Sequence, residues 1–280
     1  MNRRGLSFAM GVGCAAWLCA GSTALAQTVG AAQSFAVVGG QSVTAAAGAT
    51  QSAINGDVGV SPGTSITGFP AFAATVPPFS THSNDGAAQN AQAATLALYN
   101  SIVALGAGTA IGPELSNLVI GPGTYSIGAA NLASPGGAVS GNLTLSGSGT
   151  YIFKVASSVT ANVNSTVTLI GVDPCQVFWQ VTSAATLNGV NFVGNVVAQA
   201  GVTLGVNATL SGRALTTSLG SVTMAGSNTV GGCSGATPAP PGPGPAPGPG
   251  PVPTLSEWAT IGLTLLLAMG GVLALRRRRA

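Results

Sequence analysis

Charge is scarce in this sequence. Of its 280 residues, 8 are Lys or Arg, 5 are Asp or Glu and one is His, about a fifth of the charged share usual in a soluble domain. Most of the positive charge sits at the ends, in Arg3, Arg4 and Arg276 to Arg279. Between Gln27 and Pro253 there remain Lys154 and Arg213 against Asp57, Asp85, Glu114 and Asp173, a net charge of −2. A nucleic-acid surface needs a basic stripe, so that class is excluded. Acid–base and metal chemistry need clustered His, Cys, Asp or Glu, so no enzyme, cofactor or metal site is expected. His82, in Phe79-Ser80-Thr81-His82-Ser83, reads as an exposed loop residue. Ser61-Pro62-Gly63 lacks the base and acid of a nucleophilic site. The turn at Pro122 has no following Lys and is no phosphate loop. Asp57 and Arg213 are expected to pair or to cap turns.

Cysteine is nearly absent too. Cys14 and Cys19 lie in the leader described next, which leaves Cys175 and Cys233. An even pair in an exported chain suggests one disulfide.

What is present begins with the two ends. Residues 1–26 read as a secretory signal peptide: Arg3 and Arg4, an apolar run from Phe8 to Ala20, and a small-x-small site at Ala24-Leu25-Ala26. Residues 234–251 are almost entirely Pro, Gly and Ala. Such a stretch cannot bury a core and reads as a semi-rigid spacer, reaching about 55 Å in polyproline II form. Residues 252–280 hold Pro253-Thr254-Leu255-Ser256-Glu257-Trp258, an uncharged apolar run from Ala259 to Leu275, and the four arginines. The run just reaches the ~17–25 residues a transmembrane helix needs, and the arginines place its end in the cytoplasm. This tail resembles the IPTL-type bacterial C-terminal sorting domain, with Val252 in place of the first Ile. The resemblance implies transient anchoring in the inner membrane, a sorting protease, and delivery to the surface of a Gram-negative-type envelope.

Residues 27–233 form the body, and the body repeats. Ala184 to Ala200 aligns with Gly201 to Thr217, and a partial unit starts at Ser221. Each unit opens on apolar-Thr-apolar: Val159-Thr160-Ala161, Ala185-Thr186-Leu187, Val202-Thr203-Leu204 and Val222-Thr223-Met224. In a strand, alternation turns the apolar pair inward and the Thr outward. A second strand is expected near Asn191-Phe192-Val193, Thr209-Leu210-Ser211 and Asn228-Thr229-Val230. Gly194 and Gly212 precede a third. Three short strands per unit predict an all-β, three-sided β-solenoid, whose inner face is buried only by stacking. Upstream strands are expected at Ser34 to Val38, Ile54 to Val60, Leu118 to Ile120, Tyr125 to Ile127, Leu143 to Leu145 and Tyr151 to Val155. Trp179, Phe178 and Phe192 read as core. From Gly86 to Leu105 the period changes. Ala91, Ala94, Leu98, Ile102 and Leu105 fall on one helical face, with Asp85 as N-cap and Gly106 at the end. One long helix is therefore expected against the solenoid.

Taken together these segments resemble the bacterial and microbial ice-binding proteins with a discontinuous β-solenoid. The matching residues run from Ser34-Phe35-Ala36-Val37-Val38 through Ile54-Asn55-Gly56-Asp57-Val58-Gly59-Val60-Ser61-Pro62-Gly63 and Ile66-Thr67-Gly68-Phe69. They continue through Gly121-Pro122-Gly123-Thr124-Tyr125, Leu143 to Gly147, Tyr151-Ile152-Phe153 and Val177 to Val181, and end at Gly212-Arg213-Ala214-Leu215. The resemblance implies a right-handed triangular β-helix with a helix alongside, and a Cys pair near the last coils. It also implies that one flat face binds ice. The Thr-Ala/Gly-x-Thr/Asn pattern of some members is degenerate here: Asn188-Gly189-Val190-Asn191, Val206-Asn207-Ala208-Thr209 and Ala225-Gly226-Ser227-Asn228 each lack the leading Thr. Two ladders are candidates. One comprises Thr166, Thr168, Asn188, Asn191, Thr209 and Asn228. The alternative comprises Thr160, Thr186, Thr203 and Thr223. The partner is an ice crystal or, in a purely adhesive protein of the same fold, another extracellular surface.

Overall fold

The computed structural model describes residues 27–132, 141–188 and 191–233. The leader, the Pro/Gly-rich stretch and the apolar tail lie outside the described residues. Among the described residues no helix is long and apolar enough to cross a membrane.

Every pairing between the described strands is parallel, and the strands stack in three columns. The first runs through Gly123–Ile127, Tyr151–Val155, Val177–Val181 and the second halves of Asn191–Ala198 and Thr209–Thr216. It continues into Phe35–Gly39, Asp57–Val60 and Thr81–Ser83. The second is a separate seven-stranded sheet running from Ala130–Leu132 to Ser65–Thr67. The third holds Asn142–Ser146, Thr166–Ile170, the first halves of the two long strands, Thr229–Gly231, Ser52–Asn55 and Ala73–Thr75. The long strands bend from the third column into the first at Gly194 and Gly212. Gly194 has φ 109°, and a Cβ on Gly212 would lie 2.0 Å from the Gly194 carbonyl oxygen. Only glycine fits there.

The stacking order departs from chain order. Ser42–Ala45 lies on Ser221–Met224, so the N-terminal coils sit on the C-terminal ones. The chain then crosses back along the solenoid as helix α1, Gly86–Ala104, and resumes at the far end. Helix α1 covers the first column. Ala91, Leu98, Tyr99 and Ile102 pack on Phe35, Val38, Ile152, Phe178, Val197 and Leu215. That is why Val177–Val181 is buried at every residue: one side meets α1, the other the solenoid interior. Inside, Tyr125, Phe153, Trp179 and Phe192 stack on successive coils. The Phe153–Trp179 centroids are 4.1 Å apart, and Trp179 Nε1 donates to the Val193 carbonyl at 3.0 Å.

Both ends of α1 are tied by side chains. Asp85 Oδ1 accepts from the Ala88 amide at 2.9 Å, and Asp85 Oδ2 meets His82 Nδ1 at 2.8 Å. The Ala88 amide foremost, then His82, holds the Asp85 carboxyl below its ordinary value of 3.8. A depressed carboxylate stabilises the fold fully above its unfolded value, and that contribution is lost as pH falls through the folded value. Acid unfolding below about pH 4 is therefore expected to be blunted in Asp85→Asn, read as a flatter stability–pH curve. His82 is part of strand Thr81–Ser83, not a free loop, and its Nε2 lies 3.0 Å from Ser80 Oγ. At the other end Lys154, rather than Gly106, closes the helix. Its Nζ donates to the carbonyls of Val103, Leu105 and Gly106. Lys154→Met is expected to lower stability by about 0.3–1 kcal/mol in urea titration, the usual worth of a cation at a helix C-terminus.

Three further expectations are corrected. Of the two alternatives for Asp57 and Arg213, pairing is not formed, and both instead hold backbone groups: Asp57 Oδ1 accepts from the Ser80 amide, and Arg213 donates to the Gln33 and Cys233 carbonyls. Cys175 and Cys233 are free thiols, not a disulfide. The two adjoin, with Cys175 hydrogen-bonded to Cys233, which together with burial pushes the Cys175 thiol up. The same hydrogen bond and the Arg213 guanidinium hold Cys233 below the usual thiol range. Asn228, expected on a surface ladder, is buried, as described next.

Candidate functional site

The seven-stranded sheet carries a column of small polar side chains, all hydroxyls but the terminal one. Asn131, Thr160, Thr186, Thr203, Thr223, Thr44 and Thr67 are matched rung for rung. Their neighbours in each strand point inward. Val43, Val159, Ala185, Val202 and Val222 on one side and Ala161, Leu187, Leu204 and Met224 on the other are buried. Alternation therefore drives every Thr to the outside, on a base of packed aliphatic rungs. Two residues earlier in each strand a second row is formed by Ala184, Gly201, Ser221, Ser42 and Ser65. Nothing in either row is larger than Thr except the terminal Asn131. Cross-rung hydrogen bonds tie hydroxyls together: Thr67 Oγ1 donates to Thr44 Oγ1 at 3.2 Å and Ser42 Oγ to Ser221 Oγ at 3.0 Å. Rungs repeat at ~4.8 Å, so the column extends about 29 Å, and the two rows are ~6.5–7 Å apart. Beyond Asn131 the column meets Glu114 through an isolated bridge, its one carboxylate neighbour among the described residues.

The third column holds the other candidate set. Asn142, Thr166, Asn191, Thr209 and Thr229 are in register. Thr166 and Thr168 both donate to Asn142 Oδ1, at 3.0 and 2.9 Å. This face is less regular. Its column passes into Ala53 and Ala74, and Val119 and Ile170 protrude, 73% and 56% exposed. Asn188 lies in the turn after Ala184–Leu187, its amide on the Ala161 carbonyl. Asn228 is 1% exposed. Its side chain accepts from the Gly226 amide at 3.0 Å and donates to the Gly205 carbonyl at 2.6 Å. The strand begins at the next residue, so Thr229 takes the outward place. The four residues of the alternative set, Thr160, Thr186, Thr203 and Thr223, lie in one line.

The sequence reading missed Asn131, Thr44 and Thr67. A signal existed. Val43-Thr44-Ala45 and Ile66-Thr67-Gly68 repeat the apolar-Thr pattern of the later coils.

Comparison with known proteins bears on what such a surface is. The family model described as ice-binding-like matches residues 37–230, and the IPTL-CTERM motif matches residues 251–279. The chain belongs to the ice-binding-like family. A curated "Ice-binding protein" from Nostoc sp. (strain HG1) is 35% identical over 204 residues, 70% of this chain and 71% of that one. Among solved structures, an ice-binding protein from an Antarctic biological consortium is similar with TM-score 0.66 and 33% identity, covering 73% of this chain and 90% of that one. The ice-binding protein of Antarctomyces psychrotrophicus aligns with TM-score 0.64 and 32% identity, over 74% and 98%. Among the described residues no group of three or more His, Cys, Asp or Glu is placed to hold a metal ion.

Proposed function

We propose that this ice-binding-like domain binds ice through the face bearing Asn131, Thr160, Thr186, Thr203, Thr223, Thr44 and Thr67. The single observation that carries the choice of face is the rung-for-rung match of six threonines across the seven-stranded sheet. The relatives named above are ice-binding proteins, which supports ice as the ligand.

The mechanism is one of area and order. A Thr presents one hydroxyl and one methyl. Rows of them at fixed spacing hold surface water in a lattice-like layer, the hydroxyls anchoring it and the methyls limiting its other arrangements. Each contact is weak, and many act together because the base is rigid. Charge would orient water around itself, and neither row carries a formal charge. The protein has no catalytic step in this reading. The tail motif supports export and attachment at the cell surface, where the domain would hold a cell against ice or shape ice nearby.

A single ice crystal held just below its melting point in a solution of the protein tests the reading. Faceting and halted growth support it. A crystal that keeps growing as a round disc overturns it.

A further inference from the structure

The ladder crosses a discontinuity in chain order. Five rungs, from Asn131 to Thr223, come from consecutive C-terminal coils, whereas Thr44 and Thr67 come from the N-terminal coils. Elsewhere a short turn leads from one coil to the next and limits how far it can slip. At this joint the paired strands lie almost the whole body apart in sequence. A slip of one residue would turn Thr44 inward and Val43 outward.

Three buried polar side chains bridge the joint, one at each corner of the solenoid. Where the third column meets the first, Arg213 is 3% exposed. Its guanidinium donates to the Gln33 carbonyl at 2.7 Å, the Cys233 carbonyl at 2.7 Å and Asn195 Oδ1 at 2.8 Å. Where the first column meets the ladder face, buried Thr216 Oγ1 accepts from the Gly40 amide at 3.0 Å and donates to the Val38 carbonyl at 3.3 Å. Where the ladder face meets the third column, the buried Ser52 Oγ accepts from the Asn228 backbone amide at 2.9 Å. The Asn228 side chain fixes that turn from the other side, on Gly226 and Gly205. Arg213 and Thr216 grip the N-terminal coil from the C-terminal side, and Ser52 grips the C-terminal coil in return.

We propose that Arg213, Thr216 and Ser52 are positioning residues for ice contact: they set the register of the N-terminal coils so that the ladder continues from Thr223 to Thr44. This rests on the ladder being the ice-binding face. The physical argument is one of penalty. A buried guanidinium, hydroxyl or amide is tolerable only with its partners in place. Apolar rungs accept several registers, since one Val packs much like another. The three clamps accept one, because any slip strands a buried donor without an acceptor.

The test uses the protein carrying Arg213→Met, Thr216→Val or the two together, compared for capture into growing ice and for amide hydrogen exchange. Circular dichroism establishes that each variant is folded. The expected result is a severalfold loss of ice capture, with faster exchange at Gly40 and Ala53. The decisive comparison adds a bulky rung. Thr44→Tyr should lower capture in the parent but add nothing in the clamp variant, whereas Thr186→Tyr should lower it in both. A generally weakened fold would show no such difference. A cross-joint staple on the third column, away from the ladder, Ala53→Cys with Thr229→Cys, should restore capture without Arg213, and also serves if the double variant does not fold. Folded clamp variants that capture ice like the parent overturn the proposal, as does a stapled variant that regains fold but not capture. If the parent itself is not captured, the ice reading fails first; unchanged exchange at the joint would then separately count against the clamps.

Discussion

Thr203→Tyr is expected to abolish most ice capture while leaving the fold intact. Thr203 is exposed, mid-ladder, between Thr186 and Thr223. A tyrosine there stands several ångströms above rows of Thr, Ser and Gly. A rigid flat surface cannot bend around it, so the neighbouring rungs lose contact as well. A roughly tenfold or greater fall in capture is expected, the scale seen when one central residue spoils a complementary interface. Stability should move by only ~0.5 kcal/mol, as for most surface substitutions. The measurement is capture into a slowly frozen phase, with a urea melt of the same sample. Thr209→Tyr, on the third column, is the matched control and is expected to leave capture near that of the parent.

Trp179→Ala is expected to have the largest effect on stability. The indole is fully buried, stacked 4.1 Å from Phe153 and 5.1 Å from Phe192, with its Nε1 on the Val193 carbonyl. Truncation removes the centre of the aromatic stack, opens a cavity, and leaves a buried carbonyl short of a donor. Large-to-small changes of this kind cost about 3–5 kcal/mol. That is a sizeable part of the ~5–15 kcal/mol available to a typical domain. In a body of this size it corresponds to a melting temperature lower by roughly 6–20 °C. Thermal unfolding followed by circular dichroism checks it. Ice capture well below the new melting point should persist, because the ladder is not touched.

How far the sequence could be read depended on where the signal was local. The apolar-Thr-apolar triplets at Thr160, Thr186, Thr203 and Thr223 placed four ladder rungs correctly, because alternation within a strand decides which side chain is outward. Helix α1 was legible from its spacing and from Asp85. Two things were not local. The stacking of Ser42–Ala45 on Ser221–Met224 is a tertiary event: the apolar-Thr pattern recurs at Thr44 and Thr67, but nothing in the sequence says which coil those strands join. The end of α1 is closed by Lys154, far along the chain, rather than by a neighbouring glycine. Asn228 shows the limit of register: one residue separates a buried turn amide from an exposed strand position at Thr229. The paired cysteines were close, as parity suggested, yet both stay thiols beside Arg213.

The most direct test of the central claim is partition between ice and liquid. A dilute solution is frozen slowly onto a cold finger, and protein is assayed in each phase. The ladder account predicts that the parent and Thr209→Tyr concentrate in the ice while Thr203→Tyr stays in the liquid. A folded parent excluded from the ice, or a Thr203→Tyr variant that enters it as readily as the parent, would contradict it.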